Sequence, residues 1–313
     1  LASAQARVIE SAVPPQVPYK PKRARIVAIS VLLALLFGVG AALLLASLDA
    51  TIKNSSDVAE KLKRPLLGIV PLLKGNALSV VSTPGNTDEA REVDLRFAEA
   101  MRTIRTAVSL DRVDKPHKII LVTSSIGNEG KSIVALNLAI AFARAEKTLL
   151  LDGDMRRPSV RKMLGLRRDV PGLSELLSER ARLIECIIKT GFENLDAIST
   201  GFIPPDPLEL LSSPRMTKAL KVLANDYARV IIDCPPILPV SDAALLSKYA
   251  DSVLFVVKAD ATPAPQIRNG LALLERVDAP ITGIVLTQLD TRKAEKYGDY
   301  GYAGYYAPYA SKS

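Results

Sequence analysis

Six short apolar runs, Ile119–Thr123, Thr148–Asp152, Leu195–Ser199, Val230–Asp233, Val253–Val257 and Ile284–Leu286, recur along the chain with helix-like stretches between them. Runs of three to five mostly aliphatic and β-branched residues fit strands, and strands that alternate with helices are joined by crossovers, so they pair in parallel. A parallel sheet is covered by helices on both faces and binds ligands at the carboxyl ends of its strands. The expected fold is therefore α/β, with a mostly parallel sheet between helical layers.

The first run ends in TSSIGNEGKS, residues 123–132, and the helix-like IVALNLAIAFARA follows at once. A glycine-containing turn between strand and helix lets successive N–H groups face phosphate oxygens, and the helix N-terminus adds about half a positive charge. Ser125, Gly127, Asn128, Glu129, Gly130, Lys131 and Ser132 are the expected nucleotide-binding residues. In the pattern G-x-x-x-x-G-K-[ST], the lysine, here Lys131, reaches the β- and γ-phosphates and the final hydroxyl, here Ser132, binds Mg²⁺. The chain has Ser125 where the pattern has its first glycine.

Two acidic strand ends argue against a chance glycine-lysine turn. LLLDGDMRRP, residues 149–158, places Asp152 and Asp154 at the end of one run, and VIIDCPP, residues 230–236, places Asp233 at the end of another. One such aspartate is ordinarily a turn or cap residue. Three converging on a phosphate loop can hold a hydrated Mg²⁺, an ion that takes one or two carboxylates together with water and phosphate oxygens. The expected cofactors are ATP and Mg²⁺, in a P-loop NTPase-type domain.

Composition removes other chemistries. His117 is the only histidine, which excludes a multi-histidine metal site, and its position before a strand reads as a surface residue. Cys186 and Cys234 have neither disulfide-framework nor metal-ligand spacing. The net charge of +8 is spread along the chain. Its densest cluster, Arg156, Arg157, Arg161, Lys162, Arg167 and Arg168, lacks the interleaved aromatics of an RNA-binding surface, so no nucleic-acid partner is expected.

Residues 26–48 carry no charge and amount to about 35 Å of helix, enough to cross a bilayer core of about 30 Å. A transmembrane helix is expected there. Basic residues flank it on both sides (Lys20, Lys22, Arg23 and Arg25 before; Lys53, Lys61, Lys63 and Arg64 after), so the positive-inside rule nearly ties. The ATP site decides the orientation, because it must face the cytoplasm. The expected organisation is a Pro-rich periplasmic lead-in (1–25), the membrane helix (26–48), a juxtamembrane linker (49–86), the nucleotide-binding domain (87–292) and a Tyr-rich tail (293–313). The opening at Leu1, without signal-peptide organisation, reads as a fragment or processed form.

Together these motifs resemble the bacterial tyrosine kinases, or BY-kinases, the cytoplasmic part of polysaccharide co-polymerases. The phosphate loop at 123–132, the second aspartate motif at 149–158 and the Walker B stretch at 230–236 stand in the family's order. RFAEAMRTIRTAVSL, residues 96–110, matches the family's E-x-x-R-x-x-R oligomerisation motif through Glu99, Arg102 and Arg105. GFIPPDPLELLSS, residues 201–213, resembles its G-x-x-P-P-N-P-x-E-L-L stretch, with Asp206 in place of Asn. The loop has Gly127-Asn128 where relatives commonly have Pro-Gly, and Thr287 stands where many have Asn. Ile126 replaces the signature lysine of partitioning ATPases, which points to the kinase branch.

The resemblance implies a protein-tyrosine kinase. Lys131 would neutralise phosphates, Ser132, Asp152 and Asp233 would organise Mg²⁺, and Asp152 or Asp154 would accept the tyrosine proton. It also implies a homo-oligomeric ring, with an octamer as one stoichiometry, in the bacterial inner membrane with the kinase domain cytoplasmic. The expected partners are the exopolysaccharide or capsule export machinery and a tyrosine phosphatase. Phe97, Met101, Ile104 and Val108 have helical spacing and should face the core of a helix over about 87–110, leaving Glu99, Arg102 and Arg105 on other faces. By spacing alone those three would pair along the helix; the family implies docking on a neighbouring subunit.

The tail holds six of the nine tyrosines, Tyr297, Tyr300, Tyr302, Tyr305, Tyr306 and Tyr309, among glycines and alanines. Composition alone leaves spacer and substrate about even. Beside an ATP site in a membrane-anchored chain, the tyrosines are expected to be phosphoacceptors. Two other functions fit the same sequence, a membrane-tethered partitioning-type ATPase without kinase activity and a non-enzymatic assembly protein that sets polymer chain length.

Overall fold

The structure, a computed structural model, describes residues 21–48, 50–72, 88–111, 117–167 and 169–290. The sequence's expectations for the lead-in before residue 21, for 73–87 and for the whole tyrosine tail lie outside the described residues. The chain divides into two compact units, Leu1–Ala50 and Thr51–Ser313.

The first unit is built on helix α1 (Arg23–Leu48), 26 residues with no charge after Arg25. Its large apolar side chains are open to the surroundings, Val31, Leu35 and Leu43 among them, and Phe37 is 80% exposed. Among the described residues no helix is long and apolar enough to cross a membrane.

The second unit opens with a short helix α2 (Ser55–Asp57) that runs into a π-helical turn, Val58–Leu62. The elements then run β1 (Leu66–Pro71), α3 (Asp88–Asp111), β2 (Ile119–Ser124), α4 (Lys131–Ala143), β3 (Thr148–Asp152), α5 (Val160–Met163), α6 (Leu173–Leu177), α7 (Leu183–Cys186), β4 (Ile188–Lys189) and β5 (Leu195–Ile198). They continue with α8 (Pro207–Ser212), α9 (Pro214–Asp226), β6 (Arg229–Asp233), α10 (Asp242–Ser247), β7 (Ser252–Lys258), α11 (Ala264–Glu275) and β8 (Ile281–Leu289).

The eight strands form one sheet in the order β1-β8-β7-β2-β6-β3-β5-β4. Every pairing is parallel except β4 with β5 at the edge. Fully buried residues alternate between its two faces: Leu121, Leu149, Ile232 and Phe255 enter one core, and Ile120, Leu150, Ile231 and Leu254 the other. Hydrophobic runs buried on both sides are what a parallel sheet between helices requires.

All six expected strands are present, joined by two the sequence reading placed elsewhere. β1 lies in the stretch read as a linker, yet it pairs with β8, and Leu67, Ile69 and Val70 are buried. Ile52 and Val58 are fully buried too, so the compact unit starts at Thr51 rather than near residue 87. β4 has only two residues, too few for a sequence pattern. On α3, Phe97, Met101, Ile104 and Val108 are buried as their spacing requires. His117 is corrected from surface to buried, 3% exposed, with Nδ1 2.9 Å from the Asp251 carbonyl oxygen and Nε2 3.2 Å from Asp111 Oδ2.

Candidate active site

β2, β3 and β6 are neighbours in the sheet, so their carboxyl ends bring the phosphate loop, the Asp152–Asp154 turn and Asp233 to one place. Asp152 and Asp233 stand directly opposite each other in the β3/β6 ladder. The loop between β2 and α4 reaches the helix through backbone that side chains adopt reluctantly: Asn128 has φ 66° and Gly130 φ 89°. Gly127 and Asn128 are exposed at its crest.

Lys131, the first residue of α4, donates through Nζ to Asp154 Oδ2 at 3.0 Å and to Ser132 Oγ at 3.3 Å, and lies 3.6 Å from Asp233 Oδ1. Burial works against its ammonium, but Asp233 and Asp154 outweigh that and raise its pKa above the ordinary lysine value. Burial, and after it the nearby charge of Asp233, pushes the Asp152 carboxyl up to about 8. Burial also raises Asp233, against the pull of Lys131.

Each of these two carboxylates accepts its hydrogen bonds through one oxygen, and Asp233 Oδ1 has the Lys131 ammonium at ion-pair distance. Asp152 Oδ2 accepts from the amides of Ser159 at 3.1 Å and Val160 at 3.0 Å, and Asp233 Oδ2 accepts from Ser159 Oγ at 3.1 Å. Asp152 Oδ1 and Asp233 Oδ1 are buried without a hydrogen-bond partner. Such orphaned acceptors are costly unless something arrives to fill them. Beside the Ser132 hydroxyl they suit a divalent cation. No group of three or more His, Cys, Asp or Glu among the described residues forms a metal cage by itself. An ion that keeps water and phosphate oxygens does not need one.

Asp154 is fixed by its own turn, its Oδ1 accepting from the amides of Arg157 at 2.9 Å and Arg156 at 3.3 Å. The phosphate loop is strapped from behind. The buried Glu129 carboxylate accepts from the Ile126 amide at 2.8 Å, from Thr262 Oγ1 at 2.6 Å and from the Lys258 amide at 3.4 Å. Burial raises its pKa. Glu129, expected among the nucleotide-binding residues, thus turns its side chain into the protein and ties the loop to the end of β7. Thr287 Oγ1 donates to the Glu129 carbonyl oxygen at 2.6 Å, and Gln288 Nε2 to that of Asn128 at 3.2 Å. The hydroxyl at position 287 therefore braces the loop.

Sequence reasoning did not find Ser159, Thr262 or the bracing role of Thr287. Each acts through a loop whose place is set by the sheet, and the nearest local signals, Pro158 and Pro263, mark turns without saying what they face. Glu99, Arg102 and Arg105, expected from the resemblance to act together in oligomerisation, make separate contacts in the structure. Glu99 and Arg102 form an exposed ion pair of 2.7 Å along α3, while Arg105 Nη1 donates to the Ala141 carbonyl oxygen near the end of α4 at 2.9 Å. A cavity of about 470 Å³ lies away from these groups, between the α6–α7 segment and α9, so chemistry rather than volume marks the site.

A phosphate loop on a parallel sheet, with aspartates closing two neighbouring strands, defines a P-loop NTPase. Residues 115–294 match the ParA family model, described as a NUBPL iron-transfer P-loop NTPase, and residues 2–47 match the G-rich domain found on tyrosine kinases. The chain is 35% identical over 208 residues to the tyrosine-protein kinase YwqD of Bacillus subtilis, which spans 66% of this chain and 86% of that relative. It is 31% identical over 310 residues to EpsB of Ralstonia nicotianae, 96% of this chain and 41% of EpsB. Among solved structures, the chimerical protein CapA2B2 superposes with a TM-score of 0.68 at 34% identity, covering 75% of this chain and 99% of that one. The BceF tyrosine kinase domain gives 0.67 at 27%, covering 76% and 99%. The chain belongs to the bacterial tyrosine-protein kinase family. It spans about two fifths of the length of EpsB.

Proposed function

We propose that this chain is an ATP-dependent protein-tyrosine autokinase that phosphorylates its C-terminal tyrosines, Tyr297, Tyr300, Tyr302, Tyr305, Tyr306 and Tyr309, between subunits of a ring. Its α1 crosses the bacterial inner membrane, its catalytic unit faces the cytoplasm, and it regulates exopolysaccharide or capsule polymerisation and export. Its partners are the export machinery and a tyrosine phosphatase. The observation that carries the catalytic part is the cluster of Lys131, Asp154, Asp152 and Asp233, with two buried carboxylate oxygens that accept no hydrogen bond. The exposed apolar surface of α1 and the match of residues 2–47 support the membrane part.

ATP would lie with its phosphates over Gly127–Ser132, and Mg²⁺ would be held by Ser132, Asp152 and Asp233. Held there, the metal would supply positive charge to the phosphate oxygens. Lys131 moves from Asp154 to the β- and γ-phosphates, which leaves the Asp154 carboxylate free to face the acceptor. The tyrosine oxygen forms the new bond to the γ-phosphorus as the bond to the ADP oxygen breaks with its electron pair leaving on ADP. The phenolic proton passes to Asp154 or Asp152, since a hydroxyl with a pKa of about 10 needs an acceptor at neutral pH.

Phosphopeptide mass spectrometry after incubation with Mg–ATP, beside Lys131→Met handled identically, tests this. Phosphate on Tyr297–Tyr309 in the wild type alone supports it. A second reading, a tethered ATPase, is favoured by the match to the P-loop NTPase model over 115–294, and predicts ATP hydrolysis with an unmodified tail.

A further inference from the structure

We propose that Arg156 is a positioning residue for phosphoryl transfer: clasped by the buried Asp242, it holds the turn that presents Asp154 Oδ2 to the reacting groups. The inference rests on the proposed reaction at this site.

The clasp is bidentate, with Arg156 Nε 2.8 Å from Asp242 Oδ2 and Nη2 3.1 Å from Asp242 Oδ1. Asp242, in the first turn of α10, is fully buried, whereas the Arg156 side chain is 42% exposed. The direction of pull is therefore from the core outward. α10 is in turn fixed to the site, because the segment before it donates from the amides of Ile237 and Leu238 to the carbonyl oxygens of Ser124 and Ser125, at 2.8 and 3.2 Å.

Arg156 has a second attachment through its backbone. Its amide and that of Arg157 are the two donors on Asp154 Oδ1, which leaves Oδ2 turned to Lys131. The side chain thus pins one end of a turn whose amides orient the carboxylate two residues earlier. A planar fork meeting both oxygens of one carboxylate fixes orientation in a way that a single ammonium does not.

The test uses the detergent-solubilised full chain and compares Asp242→Asn and Arg156→Lys with wild type by single-turnover phosphorylation, Mg–ADP binding, melting temperature and amide hydrogen exchange. A positioning role lowers the chemical rate by about tenfold or more with the Mg–ADP Kd changed less than about threefold. It also speeds exchange at the amides of Arg156 and Arg157 while β3 stays protected. Arg156→Lys, keeping the charge without the fork, falls between wild type and Asp242→Asn. Unchanged rate and exchange in folded Asp242→Asn overturn the inference, and so does a loss of rate that only tracks melting temperature and Kd. If the wild type hydrolyses ATP without modifying its tail, the proposed kinase reading fails, and the hydrolysis rate with the exchange pattern still decides the role of Arg156.

Discussion

Asp152 and Asp233 are register partners on β3 and β6, and each is held by its Oδ2 while its Oδ1 has no hydrogen-bond partner. Two buried carboxyls so placed cannot both ionise easily without a cation between chain and solvent. Lys131 supplies part of that charge through its ion pairs with Asp154 and Asp233.

The pH dependence follows from this pair. Asp152 has a folded-state pKa of about 8, against about 3.9 for an unperturbed aspartate. A raised carboxyl gives stability that is complete below the unfolded value and lost as pH rises through the folded one, so the metal-free protein should become less stable between about pH 4 and 8. Mg²⁺ must displace a proton over the same range. Its affinity should rise with pH up to about 8, by at most about tenfold per unit for one proton. Calorimetric Mg²⁺ titrations in buffers of different ionisation enthalpy would show the released proton.

Lys131→Met should abolish phosphorylation and also unsettle the fold, because it strips the buried Asp154 and Asp233 carboxylates of their counter-charge. Removing one partner of a buried ion pair costs about 3–5 kcal/mol. The variant's melting temperature, measured without metal, should fall at pH 8 and recover as pH is lowered, because the raised Asp233 carboxyl takes up its proton sooner than an ordinary aspartate.

Glu129→Ala should loosen the phosphate loop. The amide of Ile126 and the hydroxyl of Thr262 would lose a buried acceptor, each unsatisfied group costing about 1–3 kcal/mol. Mg–ADP affinity should drop by about tenfold or more by fluorescence titration. Glu129→Gln, which keeps one acceptor oxygen, should lose less.

A chain that starts at Thr51 should fold, and one that starts at Thr87 should be less stable or fail. The shorter chain lacks β1, whose Leu67, Ile69 and Val70 are buried against β8 and α3. Burying side chains of this kind is worth about 1.5–3 kcal/mol each. Urea midpoints of the two truncations would separate the outcomes.

Gly172→Ala should be among the most damaging single-methyl changes. A Cβ there would lie 2.2 Å from the Ser199 carbonyl oxygen and 2.3 Å from the Gly201 amide nitrogen, both backbone atoms that cannot rotate away. The predicted loss, about 3 kcal/mol or more, is readable by thermal unfolding.

The sequence by itself determined the class of fold and where the residues of the candidate site stand along it. Strand-sized apolar runs between helical stretches admit a parallel sheet, and Lys131, Ser132, Asp152, Asp154 and Asp233 all fall at strand ends or helix starts, where periodicity alone can place them. It also determined the buried face of α3, because Phe97, Met101, Ile104 and Val108 repeat at helical spacing. Tertiary structure decided what depends on neighbours distant along the chain. Strand order made Asp152 and Asp233 opposite numbers, and an edge pairing with β8 turned Leu66–Pro71 from linker into sheet. Glu129 became a strap only because Thr262 and Lys258 arrive beside it, and Arg156 a clasp only because Asp242 does. A short polar side chain carries the same local signal whether it meets solvent, phosphate or a buried partner, and only packing selects among them.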